Sequence, residues 1–263
     1  MAHFDDEHQI AVFIDLENLA IGAKEANLHP LKIQKILDRL VEKGKVSIKK
    51  AYADWSGFSI YKVPFHECAI ELIDIPKKRM SGKNSADIKM VVDALELSYS
   101  KPHIDTFALV TGDSDFSPLV SKLRENNKFI IAIGMKNSSS DLLIANCDEF
   151  IYYEDLVRKH VRRGRPKKQS HLAGLSKEKL RAFSLLVDSI AALQRENKEI
   201  IWGSMVKQTM KRKQPTFSEE YHGYSSFSKL LEDAQKNKLI KVHKDQRSGT
   251  LIIDDLLEQE VAV

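Results

Sequence analysis

The sequence predicts a parallel α/β sheet with helices on both faces, followed by a small α+β domain of winged-helix type. Short β-rich apolar runs alternate with helix-like stretches through the first half of the chain. These runs are nearly continuous, as expected for parallel strands that are buried on both faces. With 263 residues and 43% hydrophobic content, the chain is long enough for one α/β domain and a smaller second one.

The first half predicts six strands and four helices in alternation. Apolar runs predict strands over residues 10–15, 46–55, 69–75, 106–111, 129–134 and 149–153. Helical spacing predicts helices over residues 30–42, 86–99, 116–126 and 139–146. Pro30 fits the first turn of its helix and Gly44 fits just past the end of that helix. The polar residues after Asp15 are interpreted as a loop.

The composition changes after Leu156. Residues 158–168 read Arg-Lys-His-Val-Arg-Arg-Gly-Arg-Pro-Lys-Lys, a run of like charge that cannot pack in a core. The predicted organisation is therefore a first domain over residues 1–157, a basic linker over 158–174, a second domain over 175–255 and a tail over 256–263.

The second domain predicts three helices followed by a β-hairpin, which is the winged-helix pattern. A long helix opens at residue 176, a short helix covers 204–211 and a third covers 225–237. Two strands, over residues 239–243 and 250–253, are joined through Ser248 and Gly249.

Several classes of protein are disfavoured by the sequence. Cys68 and Cys147 have no metal-binding spacing, and the scattered histidines disfavour zinc. The acidic N-terminus lacks a signal-peptide core, and no apolar run approaches the length of about 20 residues that spans a bilayer. A cytoplasmic protein with reduced thiols and no membrane contact is the expectation.

Four aspartates carry most of the chemical information. Asp15, Asp113 and Asp115 follow apolar strands, and Asp87 starts a helical pattern. If strand 10–15 lies beside strand 106–111, these carboxylates meet at one edge of the sheet, where ligands bind in such folds. Clustered carboxylates repel one another unless a cation neutralises them, and oxygen ligands select Mg²⁺ or Mn²⁺. A metal-dependent phosphodiesterase is the leading hypothesis.

Each of these aspartates alone is more often a turn residue or a helix cap, and their combination at one edge favours a site. Asp93 is an additional candidate at the rim of that site. The predicted catalytic and metal-binding residues are Asp15, Asp87, Asp113 and Asp115, with Asp93 as a further metal candidate. The predicted substrate-binding residues are Asn18, Lys83, Ser85, Thr111, Ser114, Arg158, Lys159, Arg162, Arg163, Arg165, Lys167 and Lys168.

Three blocks of the first domain resemble the signature blocks of the NYN domain, a member of the PIN-like nucleases. They are Val-Phe-Ile-Asp-Leu-Glu-Asn at 12–18, Ser-Ala-Asp-Ile-Lys-Met-Val-Val-Asp at 85–93 and Leu-Val-Thr-Gly-Asp-Ser-Asp-Phe-Ser-Pro at 109–118. The resemblance covers roughly residues 10–156. It implies a Rossmann-like PIN/NYN sheet and a Mg²⁺- or Mn²⁺-dependent ribonuclease whose acidic ligands are the four aspartates. Ala86 stands where the family usually has glycine.

The second domain resembles the OST-HTH (LOTUS) module over residues 202–217 and 221–231. This resemblance implies RNA binding or protein docking. Phe217, Tyr224 and Phe227 are expected in the core of the domain. For a basic group on the second helix, phosphate binding and an ordinary solvated face remain open; the group comprises Lys207, Lys211, Arg212 and Lys213.

Single-stranded RNA is the expected substrate, captured in part by the basic linker through its phosphates. Two alternatives remain open. One is a non-catalytic RNA-binding or regulatory scaffold. The other is binding of A·T-rich DNA, because Arg163-Gly-Arg-Pro166 resembles the core of an AT-hook, which places arginines in the narrow minor groove. The sequence does not predict an oligomeric state.

Overall fold

The computed structural model describes residues 8–76, 84–157, 172, 174–196, 200–257 and 261. The chain divides into two compact units between residues 160 and 161. The exact domain bounds predicted from the sequence remain a prediction. Within the described ranges, no helix combines the length and apolar character that crossing a membrane would require.

The N-terminal unit is a six-stranded parallel sheet with helices on both faces, as predicted. The strand order is β3-β2-β1-β4-β5-β6. The strands are β1 (His8–Asp15), β2 (Gly44–Ala53), β3 (Glu71–Asp74), β4 (Thr106–Val110), β5 (Phe129–Gly134) and β6 (Glu149–Tyr152). The helices are α1 (Leu16–Glu25), α2 (Ile33–Lys43), α3 (Lys62–Glu67), α4 (Ser85–Ser100), α5 (Ser117–Glu125), α6 (Asp141–Asn146) and α7 (Tyr153–Val157), with 3₁₀ turns at Ser59–Tyr61 and Ser114–Phe116.

Strand β1 lies at the centre of the sheet between β2 and β4. Ile14 pairs with Val110 of β4, and Asp15 pairs with Tyr52 of β2. The strand order reverses direction between β1 and β4, so this is the switch point at which α/β sheets bind ligands. The aspartates that follow β1 and β4 therefore lie at the same edge of the sheet, because these two strands are neighbours as the prediction required.

The two faces of the sheet are covered by separate cores. Ile14 belongs to the core under α1, α2 and α3, and Phe13 belongs to the core under α4 and α5. On the second face, the rings of Tyr52, Phe13 and Phe107 stack across β2, β1 and β4, with centroid distances of 6.4 and 5.9 Å. Successive side chains of a strand point to opposite faces, so Asp15 and Phe13, two residues apart, point to the same face.

Two local predictions are wrong. The stretch after Asp15 is not a loop, because α1 begins at Leu16, and Leu19 and Ala23 are buried at helical spacing with it. Pro30 is not in the first turn of its helix, because α2 begins at Ile33. The backbone N–H groups just before α2 donate instead to the hydroxyls of Tyr61 and Tyr153, which hold this segment outside the helix.

The C-terminal unit is a small α+β domain with its own sheet, also as predicted. Its elements are α8 (Lys177–Arg195), β7 (Ile201–Trp202), α9 (Gly203–Lys213), a 3₁₀ turn at Glu220–His222, α10 (Phe227–Lys236), β8 (Ile240–Lys244) and β9 (Leu251–Leu256). The sheet is antiparallel in the order β7-β9-β8, and β7 was not predicted.

The core of the C-terminal unit includes the aromatic residues expected there. Phe217 and Tyr224 are buried, and Phe227 packs against them as a partly buried side chain. Leu172 and Val261 belong to the same core, so its packing extends beyond residues 175 and 255 at both ends.

Candidate active site

Asp15 occupies the junction between β1 and α1. It is the last residue of the strand and also the N-cap of the helix. Its Oδ1 accepts a hydrogen bond from the backbone N–H of Asn18 at 3.1 Å, and its Oδ2 accepts one from the hydroxyl of Thr111 at 3.1 Å. Both carboxylate oxygens are therefore fixed in direction at the switch point of the sheet.

The surroundings of Asp15 disfavour its negative charge. Burial raises the pKa of Asp15 from an ordinary value of 3.8 to about 7. The hydrogen bonds from Asn18 and Thr111 oppose this shift, whereas the negative charges of Asp87 and Glu17 add to it. The electrostatic effect of Asp87 shows that the start of α4 lies within range of Asp15. A bound cation would reverse this balance, because it favours the ionised carboxylate.

The turn after β4 brings Asp113 and Asp115 to the same edge of the sheet. The backbone N–H of Asp113 donates to the Thr111 hydroxyl at 3.3 Å, so Thr111 links Asp113 to Asp15. Asp113 caps the following 3₁₀ turn, because its Oδ1 accepts from the N–H of Asp115 at 3.0 Å. Ser114 lies in this turn, and the Asp115 side chain is exposed to solvent.

Asn18 joins α1 to the same turn. Its side-chain oxygen accepts a hydrogen bond from the backbone N–H of Gly112 at 3.0 Å. Gly112 also accepts from the N–H of Ser140 at 2.9 Å, and a Cβ at position 112 would lie 2.8 Å from the Ser139 hydroxyl. Only glycine fits at such a distance, so the turns after β4 and β5 pack directly against each other.

The helix α4 positions Asp87 and Asp93 differently. Asp87 lies in the first turn of the helix, next to Ser85, at the end nearest to Asp15. Asp93 lies further along α4 and accepts hydrogen bonds from Tyr52 at 2.8 Å and from Lys89 at 2.7 Å. Its contacts hold the α4 helix against β2.

The electrostatics of Asp93 differ from those of Asp15. Burial alone would raise the pKa of Asp93, but the hydrogen bonds from Lys89 and Tyr52 and the charge of Lys50 hold it below its ordinary value. The Lys50 ammonium lies 3.7 Å from the carboxylate. Asp93 is thus an ionised group with cationic partners of its own, and its contacts are those of a structural ion-pair cluster.

The donor set at the sheet edge fits a hard divalent cation by its chemistry, since it consists of carboxylate, hydroxyl and amide oxygens. Among the residues that the structure describes, no group of three His, Cys, Asp or Glu side chains is placed closely enough to hold an ion. Mg²⁺ commonly binds through one or two carboxylates and retains several waters. Binding of this kind would need only one or two of the carboxylates of Asp15, Asp87 and Asp113.

The structure therefore brings part of the predicted site together. Asp15, Asn18, Thr111 and Asp113 are connected by hydrogen bonds, and Asp87 acts on Asp15 through its charge. The hydrogen bonds to Asp15 from Asn18 and Thr111 do not involve four other described candidates, namely Ser85, Asp93, Ser114 and Asp115. Eight further predicted residues lie outside the described part of the chain, and with them the segment 163–166 that resembles an AT-hook: Lys83, Arg158, Lys159, Arg162, Arg163, Arg165, Lys167 and Lys168.

One contributor to the site, Tyr52, was missed from the sequence. Tyr52 anchors α4 through Asp93. Glu17, one of the polar residues expected beside Asp15, accepts a hydrogen bond from the backbone N–H of Asp54 at 3.1 Å. Helical spacing of Leu16, Leu19 and Ala23 is the signal that places Glu17 on a helix. The pairing of Tyr52 with Asp93 has no local signal in the sequence.

Comparisons with known proteins concern the N-terminal unit. The family model of the NYN domain matches residues 9–154. The chain is 34% identical over 137 residues to an uncharacterized protein of Methanocaldococcus jannaschii, and it spans about half the length of that curated relative, 52%. It is also similar to the crystal structure of a protein of unknown function from Vibrio parahaemolyticus, with a TM-score of 0.51 and 26% identity over 58% of this chain and 96% of that chain.

Proposed function

This chain belongs to the NYN domain family through residues 9–154, and on that basis we propose that its N-terminal unit is a ribonuclease dependent on Mg²⁺ or Mn²⁺. The observation that carries the proposal is the burial of Asp15 at the switch point of the sheet. A carboxylate with a pKa of about 7 at this position is stabilised as an anion by a bound cation.

The proposed ligands are the carboxylates of Asp15, Asp87, Asp113 and Asp115. Divalent cations bound there would supply an activated water and stabilise the leaving oxygen of the phosphodiester. Thr111 holds the Asp15 carboxylate in one orientation, and the Asp113 N–H fixes the same hydroxyl from the other side. Asp93 is not among the proposed ligands, because its oxygens are engaged by Tyr52 and Lys89.

Asn18 is proposed to contact the scissile phosphate. Its amide oxygen is used by the Gly112 N–H, so the amide nitrogen is the group that a phosphate oxygen would meet. Ser85, Ser114 and Lys83 are further candidates for substrate contact. The expected products of hydrolysis are a 5′-phosphate and a 3′-hydroxyl.

Single-stranded RNA is the proposed substrate, and the basic segment 158–168 is proposed to capture it. Lysines and arginines that neutralise phosphates release counterions, which gives sequence-independent and salt-dependent affinity. Binding of A·T-rich duplex DNA by the same segment is a competing proposal, which a competition assay between this duplex and RNA would decide. A cytoplasmic location is part of the main proposal.

Cleavage of single-stranded RNA with Mn²⁺ or Mg²⁺, and with excess EDTA, tests the activity. Asp113→Asn removes a ligand charge while its side-chain oxygen can still accept from the Asp115 N–H, so we expect the fold to persist and cleavage to be lost. Asp38→Asn, at an exposed position on α2, makes the same chemical change away from the site and should cleave at the wild-type rate. An Asp113→Asn protein that cleaves as fast as wild type refutes the site assignment.

A non-catalytic RNA-binding scaffold is the second candidate. It is favoured by one observation, namely that the described residues contain no ready-made group of three metal-binding side chains. Calorimetric titration with Mn²⁺ separates the two candidates. Metal binding that Asp15→Asn abolishes supports the enzyme, and absence of binding at millimolar Mn²⁺ supports the scaffold.

The C-terminal unit is proposed to be a winged helix of the OST-HTH type that binds RNA or a protein partner. Its basic group on α9 is largely engaged within the domain. Lys207 pairs with Glu219 at 2.7 Å, and Lys213 donates to the carbonyl of Asp188 at 3.1 Å. These contacts favour a solvated helix face over a dedicated phosphate site at these lysines.

A further inference from the structure

Helix α4 has two apolar faces instead of one. Met90, Ala94 and Ser98 are buried on the face that packs against the sheet. Four apolar residues lie on the opposite face, at spacings of four, three and four residues, which confines them to an arc of about 60° on a helix of 3.6 residues per turn. This α4 stripe consists of Ile88, Val92, Leu95 and Tyr99.

The α4 stripe is largely exposed in the described structure. Ile88 is 63% exposed, Val92 51% and Tyr99 62%, while Leu95 is partly buried. A helix that covers a sheet needs only one apolar face, and a contiguous exposed apolar strip usually marks an interface. By contrast, Ile21 on α1 and Leu142 on α6 are single exposed apolar residues on otherwise ordinary helices.

We propose that the α4 stripe binds the α4 stripe of a second copy of this chain in an antiparallel, two-fold symmetric pair. The four residues of the α4 stripe are spaced symmetrically about a midpoint between Val92 and Leu95. A two-fold axis at that midpoint places Ile88 opposite Tyr99 of the second copy. The same axis places Val92 opposite Leu95, so that the larger residue of each pair meets the smaller one.

The charges beside the α4 stripe indicate that the partner is a second copy of this chain and that the two helices run antiparallel. Lys89 and Glu96 lie on the same flank of α4, seven residues or about two turns apart. In an antiparallel pair, Lys89 of each copy approaches Glu96 of the other, and two ion pairs close the rim. A parallel two-fold pair would place the two copies of this flank on opposite sides of the interface, where Lys89 of one copy does not meet Glu96 of the other. The surface is thus complementary to itself in one orientation.

Lys89 can serve both partners. Its ammonium group lies 2.7 Å from the carboxylate of Asp93 in the same chain. An ammonium has three N–H donors, so the contact with Asp93 leaves donors for Glu96 of the second copy. The side chain is half-exposed, at 48%, which keeps the group accessible from the rim.

The size of this surface sets the expected strength of the dimer. Helix α4 has 16 residues, which corresponds to a length of about 24 Å. A single pair of helices of this length is at the small end of specific interfaces. The dimer is therefore reversible, and it dissociates on dilution.

Sedimentation velocity or light scattering on the full chain over a range of concentrations tests the proposal. The wild-type mass should rise from one chain toward two. Val92→Glu introduces charges at the centre of the interface and should abolish the two-chain species. Val63→Glu makes the same change on α3, at a residue that is 65% exposed, and should leave the dimer intact. A wild-type chain that stays monomeric, or a Val92→Glu dimer, overturns the proposal.

A charge reversal tests the direction of pairing. Glu96→Lys opposes Lys89 with a second cation and should weaken the dimer about tenfold or more, because like charges across an interface are costly. The double variant Lys89→Gln/Glu96→Lys removes this repulsion, and the glutamine amide keeps a donor for Asp93, so it should recover part of the lost affinity. The circular dichroism spectrum verifies that each variant is folded. A folded double variant no tighter than Glu96→Lys overturns the antiparallel pairing.

Discussion

The hydroxyl of Tyr52 donates a hydrogen bond to the carboxylate of Asp93 at 2.8 Å, and this contact joins the central part of the sheet to helix α4. Tyr52 is the register partner of Asp15, and α4 carries Asp87. The distance between the two proposed ligands therefore depends on a contact that involves neither of them.

Tyr52→Phe removes this hydrogen bond while keeping the ring that stacks on Phe13. Hydrogen bonds to charged groups contribute about 1.5–3 kcal/mol, so we expect the free energy of unfolding to fall by about that amount. RNA cleavage should fall as well, because α4 loses an anchor. Urea denaturation and the cleavage rate measure both effects.

Tyr221→Phe is the matched control for this substitution, because Tyr221 is 69% exposed. It should change neither stability nor cleavage. If Tyr52→Phe unfolds at the wild-type urea concentration, the contact with Asp93 contributes nothing to the position of α4.

The raised pKa of Asp15 predicts how stability changes with pH. The folded protein binds a proton at Asp15 up to a pH of about 7, whereas an ordinary carboxyl loses it near 3.8. Since the folded state binds more protons between these values, the free energy of unfolding decreases as pH rises from about 4 to about 7. Each unit of difference in pKa corresponds to about 1.4 kcal/mol.

Asp15→Asn should remove this dependence, because an amide does not ionise. The variant should match wild type near pH 4 and exceed it in stability at pH 8, as measured by urea denaturation. Mn²⁺ should stabilise wild type at pH 8 but not the variant, because it binds the ionised carboxylate. Parallel pH profiles for the two proteins would contradict the assignment of a buried, protonated Asp15.

The contact between Asn18 and Gly112 predicts a coupling between α1 and the Asp113 turn. Asn18→Ala leaves the Gly112 N–H without its acceptor, which should cost about 1–3 kcal/mol of stability for a buried donor. The cleavage rate should fall by more than the loss of folded protein explains, because the proposed phosphate contact is lost too. Asn137→Ala, at an exposed position after β5, serves as the control and should behave as wild type in both assays.

The basic linker predicts the salt dependence of RNA binding. Replacing Arg162, Arg163 and Arg165 with alanine should reduce the slope of log affinity against log salt by about 2, at about 0.7 per phosphate contact on single strands. Replacing Lys24, Lys35 and Lys45, which are exposed on the N-terminal unit, removes the same charge elsewhere. An equal change of slope in both triple variants would show that net charge alone governs binding.

The sequence was sufficient for most of the N-terminal sheet because its central strands β1, β4 and β5 are largely apolar. The bounds of β5 agree with the prediction at both ends, and α4 differs from it by one residue at each end. Helix α1 was missed because Asp15, Glu17 and Asn18 interrupt the apolar pattern as a loop would, although the strand passes directly into the helix.

The candidate site was predicted where local signals exist and missed where contacts are distant in sequence. Carboxylates at strand ends indicated Asp15 and Asp113, and parallel pairing of β1 with β4 brings them together. The partner of Asp93 could not be predicted, since Tyr52 is 41 residues away and the side chains meet only when α4 packs on the sheet. Which of the aspartates bind metal remains a prediction.

The direct passage from β1 into α1 at Asp15 constrains how this chain can change in length. One residue inserted after Asp15 would rotate α1 by about 100° relative to the strand. Leu16 and Leu19 would then leave the core, and the carboxylate would no longer cap the helix. Insertions and tags are thus better placed at an exposed loop tip, such as Gln246 and Arg247 between β8 and β9.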